Sequence, residues 1–279
     1  EDLVRGLVID SGNDAAITLA EGVAGSEEAF VGRMNRRASE LGLVRSVFGN
    51  PWGKAGPDQK VTPREMVQLS AHLIETYPEL YRYFSEKEFT WNKIRQQNRN
   101  PLLTMSLGAD GLKTGNIDDS GFGIVGSAVQ DDRRLIVAVY GARTAKERAE
   151  EARKLLQWGF RNFEEKPLFK AGETIGSAQV YGGDRRAVDV VSPTDVKVLL
   201  QRGGGEKLSG KIVYEGPLIA PIEAGAKVAK LEIRRGSTLV LEQPLEAAES
   251  VEKGSLPSRA FDAAYEYAAG AIHSKLTKK

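Results

Sequence analysis

Between Asp110 and Ala142 three apolar runs, "DGLKTGN", "GFGIVGSAV" and "RLIVAVYGA", are separated only by the short polar breaks "IDDS" and "QDDR". Breaks of that length make turns and have no room for a crossover helix. The three runs are therefore expected to form an antiparallel meander. Directly after it, Thr144-Ala145-Lys146-Glu147 has the form of a capping box. It opens "KERAEEARKLLQWGF", an amphipathic helix that is expected to pack on the sheet.

The residues before the meander read as helices. "EDLVRGLVID" is amphipathic, with Leu3, Val4, Leu7 and Val8 on one side. "SEEAFVGRMNRRASELG" has Ser26 as its cap, a stripe of Phe30, Met34 and Leu41, and Gly42 as its stop. Residues 49–61 are a Gly- and Pro-rich loop, after which Thr62-Pro63-Arg64-Glu65 is a second capping box. Its helix runs to about Tyr77, just before Pro78. Helices, a meander and a covering helix make an α+β arrangement for residues 1–165.

Past Glu165 the texture changes to short alternating strands with Gly turns: "VDVV", "VKVLLQ", "GKIVYEG", "AKVAKLEIRRG" and "STLVLEQPL". Residues 166–252 are expected to form a small sandwich-like β domain that folds by itself. Residues 253–279 are expected to close the chain as an amphipathic helix, with Phe261, Tyr265, Ala268, Ile272 and Leu276 on one stripe and Lys275, Lys278 and Lys279 at its end.

Several chemistries are not expected of this composition. A net charge of +1 argues against a nucleic-acid partner held through phosphates. No run of about eighteen apolar residues is present, so no membrane-spanning helix is expected. Cysteine is absent, and the two histidines, His72 and His273, are far apart. A thiol nucleophile, a His-based metal cluster and a Ser–His–Asp triad are thus not expected; neither is a cofactor. His72 reads as a helix residue near a surface.

Two triplets remain. Ser11-Gly12-Asn13-Asp14 interrupts two helical runs. It reads either as a helix–turn–helix corner with Asp14 as a cap, or as a device holding Ser11 and Asn13 over a cleft. Lys113-Thr114-Gly115 lies on the first strand of the meander, where Gly115 lets a ligand approach the backbone. Taken in order, Ser-x-Asn and Lys-Thr-Gly are two of the three elements of the penicillin-interacting serine enzymes. The surrounding sequence resembles the D-alanyl-D-alanine carboxypeptidases, the low-molecular-mass penicillin-binding proteins. The segments that carry this resemblance are "LVRGLVIDSGNDAAITLAEGVAGSEEAFVGRMNRRASELGL", "FSEKEFTWN", "QQNRNPLL", "DGLKTGNIDDSGFGIVGSA", "RRLIVAVYGA" and "KLLQWGFRNFE". They cover nearly all of residues 1–165; the later residues match in layout more than in identity.

The resemblance implies a fold of the β-lactamase/DD-peptidase type and acyl transfer. A serine attacks the bond between two terminal D-Ala residues, D-Ala leaves, and water hydrolyses the acyl-enzyme. It implies that Ser11 relays protons to the leaving amine and that Asn13 orients the catalytic lysine and the substrate amide. Lys113 and Thr114 would address the substrate carboxylate, and the backbone after Gly115, near Asn116, would give one oxyanion N–H. Many relatives carry His where Asn116 stands. Arg148 and Arg99 would complete the carboxylate site. From the residues alone, Arg148 also reads as part of a solvated helix face, and Arg99 as a structural partner of loop carbonyls. The implied partners are a peptidoglycan stem peptide ending in D-Ala-D-Ala and β-lactam antibiotics. The implied location is the periplasm, with the terminal helix resting on the outer face of the inner membrane.

The family's third element, Ser-x-x-Lys, holds the nucleophile and its base and lies several dozen residues before Ser-Gly-Asn. The sequence begins after that point, and its one match, Ser250-Val251-Glu252-Lys253, reads as coincidence. The alternatives are a non-catalytic wall-binding or scaffolding protein and, less in keeping with the appended β domain, a β-lactamase. The resemblance predicts that these 279 residues alone neither hydrolyse D-Ala-D-Ala nor acquire a fluorescent penicillin covalently. A labelled band on a denaturing gel would contradict it.

Overall fold

A computed structural model describes residues 1–205 and 207–256. The expected helix over 253–279 lies almost wholly outside the described residues. Those residues fall into two compact units, Glu1–Asn162 and a second that starts at Phe163.

The first unit begins with α1 (Asp2–Val8), α2 (Asn13–Ala24) and α3 (Glu27–Glu40). Gly25 ends α2 at φ +87°, a left-handed stop that costs glycine nothing. Ser26 caps α3 by accepting a hydrogen bond from the Ala29 N–H at 3.1 Å. Thr62 likewise caps α4 (Pro63–Thr76) through the Glu65 N–H at 3.2 Å. That capping box is only half formed. The buried Glu65 carboxylate turns away to accept from the Arg45 N–H at 2.8 Å and from Ser46 Oγ at 2.5 Å. It thereby ties the preceding loop to the helix.

A short helix, α5 (Pro78–Tyr81), and a 3-10 turn lead into the hairpin β1 (Glu88–Trp91) and β2 (Ile94–Gln97). The sequence reading did not find this hairpin. Its turn, Asn92-Lys93, places both residues at positive φ, which Gly would normally signal. The meander follows in the expected order, β3 (Ala109–Ile117), β4 (Gly121–Gln130) and β5 (Arg133–Ala142), antiparallel throughout. Then comes α6 (Ala145–Asn162), capped by Thr144 through the Glu147 N–H at 3.0 Å.

The central strand is buried on both faces. Ile124 and Ala128 of β4 pack with Ala152, Leu156 and Phe160 of α6. Val125, on the opposite face, packs with Tyr81 and Leu112, with Met66 and Leu73 of α4 alongside. Gly126 is needed for this, because a Cβ there would stand 2.5 Å from Leu102 Cδ1. The sheet is thus clamped between α4 and α6, which fixes β3 as the rigid edge strand that carries Lys113-Thr114-Gly115.

The second unit is all β: β6 (Phe163–Phe169), β7 (Thr174–Tyr181), β8 (Ala187–Val191), β9 (Val196–Gln201), β10 (Leu208–Val213), β11 (Leu218–Ile219), β12 (Lys227–Arg235) and β13 (Thr238–Ala247). One six-stranded sheet, ordered β10-β12-β13-β8-β7-β11, and the pair β6-β9 enclose a single core of Val188, Val190, Val196, Leu231, Leu245 and Val251. The sequence reading missed β6 and β7. Glu164, Glu165 and Lys166 look like more of the charged helix, and β7 opens on Thr174 and Gly176 with no strict alternation. Here Ser250 and Lys253 lie outside any helix; Ser250 Oγ accepts from the Ala224 N–H at 3.1 Å, and Lys253 forms an isolated bridge with Gly183. They do not share a helix face as a catalytic Ser-x-x-Lys would.

Leu156 is fully buried between α6 and the sheet. Leu156→Ala should cost about 2–5 kcal/mol in a urea titration, because the cavity adds to the lost burial. An unchanged midpoint would mean that α6 does not seal this face.

Candidate active site

Ser11 stands in the corner between α1 and α2. Ile9, with none of its surface exposed, anchors the corner in a cluster with Val8 and Tyr83. The Gly12 N–H donates to Gly6 O at 2.9 Å and closes the turn. Asp14 is not the cap, contrary to the sequence reading. Gly12 holds the cap position, and Asp14 lies inside the first turn, where its Oδ1 accepts from the Ala15 N–H at 2.9 Å. Its charge still favours the helix start through the dipole.

The backbone of Ser11 sits at φ +62°. A left-handed residue is comfortable as Gly or Asn and costs a serine on the order of 1 kcal/mol. A plain corner would therefore favour glycine, and the hydroxyl is what the strain retains. That hydroxyl accepts a hydrogen bond from Lys113 Nζ at 2.5 Å, and the same amine donates to Thr114 O at 2.8 Å. The two triplets, 102 residues apart in sequence, meet at this bond.

Lys113 is half-buried, and burial first, then the like charges of Arg99 and Arg148, bring its amine down from 10.5 to about 8. Among the described residues no carboxylate lies within ion-pair distance of these three cations. Arg148, in the first turn of α6, is only 8% exposed, and its Nε is buried without a hydrogen-bond partner. Its guanidinium lies 5.9 Å from the centroid of Phe122, the residue that pairs with Asn116 across β3–β4. This rules out the solvated-face reading of Arg148. Burial also lowers the guanidinium below its ordinary value. Arg99 is exposed and bonds Ile9 O through its backbone N–H at 3.3 Å; among the described residues no side-chain bond ties it to loop carbonyls.

The remaining expected residues are placed but not joined. Thr114 is buried, whereas Gly115 and Asn116 are exposed at the open end of β3. A Cβ on Gly115 would meet nothing within 4 Å, so that stretch of backbone is unobstructed. Asn13 is the exposed first residue of α2, two positions from Ser11. No hydrogen bond links Asn13 or Asn116 to the Ser11–Lys113 pair among the described residues. Sequence reasoning missed Asp10. Its Oδ2 accepts from Gln96 Nε2 at 3.0 Å, its Oδ1 is buried without a partner, and burial raises its pKa against the pull of Arg99. Nothing in its sequence context marks it out, since the contact depends on the missed hairpin.

Comparison with known proteins gives the following. A family model described as D-alanyl-D-alanine carboxypeptidase matches residues 1–144, and one described as penicillin-binding protein 5, C-terminal domain, matches residues 163–253. D-alanyl-D-alanine carboxypeptidase DacD of Escherichia coli is 40% identical over 94% of this chain and 68% of its own length. The crystal structure of penicillin binding protein 5 from Haemophilus influenzae superposes with a TM-score of 0.79 at 36% identity, over 90% of this chain and 74% of that one. Penicillin-binding protein D2 of Listeria monocytogenes, in its ampicillin-bound form, gives 0.53 at 33% identity, over 57% and 66%.

The Lys113 amine should lose its proton near pH 8, well below an ordinary lysine. Proton-dependent acetylation rates, read per lysine by mass spectrometry, should show that midpoint. A midpoint near 10.5 would mean that water and counter-charge reach it freely.

Proposed function

This chain belongs to the D-alanyl-D-alanine carboxypeptidase family, and from that membership we propose how its residues serve the removal of a terminal D-Ala from peptidoglycan stem peptides. The observation that carries the assignment of residues is the Lys113–Ser11 hydrogen bond, made by an amine that feels Arg99 and Arg148 and, among the described residues, has no carboxylate within ion-pair distance. An ammonium and two guanidiniums of that kind await an anion, and the C-terminal carboxylate of the substrate supplies one.

Each group then has a task. Lys113, with Arg148 and Arg99, holds the carboxylate, and Thr114 assists from the same strand. The scissile carbonyl lies along the open backbone after Gly115, where the N–H near Asn116 faces the developing oxyanion. Ser11 passes a proton to the departing amine. It can do so because Lys113, poised near neutral, shares that proton through a short bond. Asn13 orients the substrate amide from the start of α2. The nucleophile and its base belong to the family's Ser-x-x-Lys element. The all-β unit, residues 166–252 in the reading above, supplies no reacting group.

β-Lactams are recognised by the same cation set, since their carboxylate mimics the substrate's terminus. The work lies in the bacterial cell envelope, and we place it in the periplasm. The relatives described above are named carboxypeptidases or penicillin-binding proteins, which does not favour a non-catalytic scaffold.

The test uses a form of the protein that carries the Ser-x-x-Lys element. Lys113→Ala should lower kcat/KM on a D-Ala-D-Ala peptide roughly a hundredfold, from about 2–4 kcal/mol of lost charge-assisted binding. Because the cation disappears as pH rises through about 8, the wild-type rate should fall on the alkaline side. Lys113→Arg should move that limb upward. Unchanged kinetics in Lys113→Ala would remove the residue from the site.

A further inference from the structure

The hairpin β1–β2 leaves a large apolar pair uncovered. Trp91 is 61% and Ile94 62% exposed, and they face each other across the last register pair before the turn. Phe89 and Gln96 form the next pair inward but one, on the same face, because side chains alternate along each strand. That face is directed at the corner that carries Ser11. Phe89 packs against the cluster of Val8, Ile9 and Tyr83, and Gln96 donates to Asp10, the residue before Ser11.

The contacts run in antiparallel order. Arg99 bonds Ile9, then Gln96 bonds Asp10, and the Trp91–Ile94 pair comes next outward. At about 3.3 Å per strand residue, Ile94 lies about 7 Å beyond Gln96. Two residues of extended peptide span the same distance. The turn itself brings Lys93 and no acidic residue, and Glu88, at the base, is paired with Arg95.

We propose that Trp91 and Ile94 form a subsite for the peptide that precedes D-Ala-D-Ala, packing on the aliphatic parts of the residues immediately upstream. The proposal rests on the reading of Ser11, Lys113 and the two arginines as the place of the D-Ala-D-Ala end. Continuity through Gln96, Asp10 and Ser11 is what ties the exposed pair to that site. The pair reads the length of the ligand, not its terminus. An indole suits this task because it offers a large rigid surface at little cost in rotamer freedom.

The test is a titration of the 279-residue chain, ¹⁵N-labelled at tryptophan, with two ligands. One is N-acetyl-D-Ala-D-Ala and the other a pentapeptide with the same ending. The Trp91 indole signal, assigned by its loss in Trp91→Ala, should move with the pentapeptide and stay in place with the dipeptide. The ratio of pentapeptide to dipeptide affinity should fall about tenfold in Trp91→Ala and in Ile94→Ser. If both ligands bind but the indole does not respond, the subsite is wrong and the D-Ala-D-Ala site stands. If neither binds, both fail. An indole shift that follows protein concentration without ligand would make the pair a contact between copies of the chain and overturn the proposal.

Discussion

A lysine amine drawn out of water and placed in the field of two guanidiniums is the constraint around which the first unit is organised. Desolvation and like charge both disfavour its proton, and they bring Lys113 to about 8. Such a group has to be held, since it would otherwise turn to solvent. The sheet clamped between α4 and α6 holds β3, and Ser11 Oγ and Thr114 O give the amine its two acceptors. The strain of Ser11 at positive φ belongs to the same arrangement, because it aims the hydroxyl at that amine. Packing energy from the core thus maintains an electrostatically unfavourable cluster, which the carboxylate proposed to bind there would relieve.

Much of this was legible in the sequence, for local reasons. Two short polar breaks dictated the meander, and Ser26, Thr62 and Thr144 each mark a helix start that the hydrogen bonds match. The triplets Ser11-x-Asn13 and Lys113-Thr114-Gly115 announced themselves by order and context. What stayed hidden depends on long-range contact. Arg148 sits in a run of charges, and only the packing of α6 shows it buried over Phe122. Glu65 looked like half of a capping box but serves Ser46 and Arg45 instead. The β1–β2 hairpin escaped because Asn92-Lys93 adopts a turn that glycine usually betrays, and Asp10 escaped with it.

The two units differ in how they reach stability. The first uses helices on both faces of a short sheet and leaves Gly115 and Asn116 of β3 exposed. The second encloses one apolar core between two sheets, with Val188, Val190 and Leu245 almost fully buried. The family models divide along the same lines, one over residues 1–144 and the other over 163–253.

The most direct measurement compares two ligands that differ only at the terminus. N-acetyl-D-Ala-D-Ala and its C-terminal carboxamide have nearly the same shape, but only the first carries the anion that we propose Lys113, Arg99 and Arg148 hold. Titrated at pH 7, the carboxylate form should bind at least about tenfold more tightly, and the difference should shrink as pH rises through that of the Lys113 amine. Equal affinities across that range would contradict the account, because the cation cluster would then have no part in recognising the substrate.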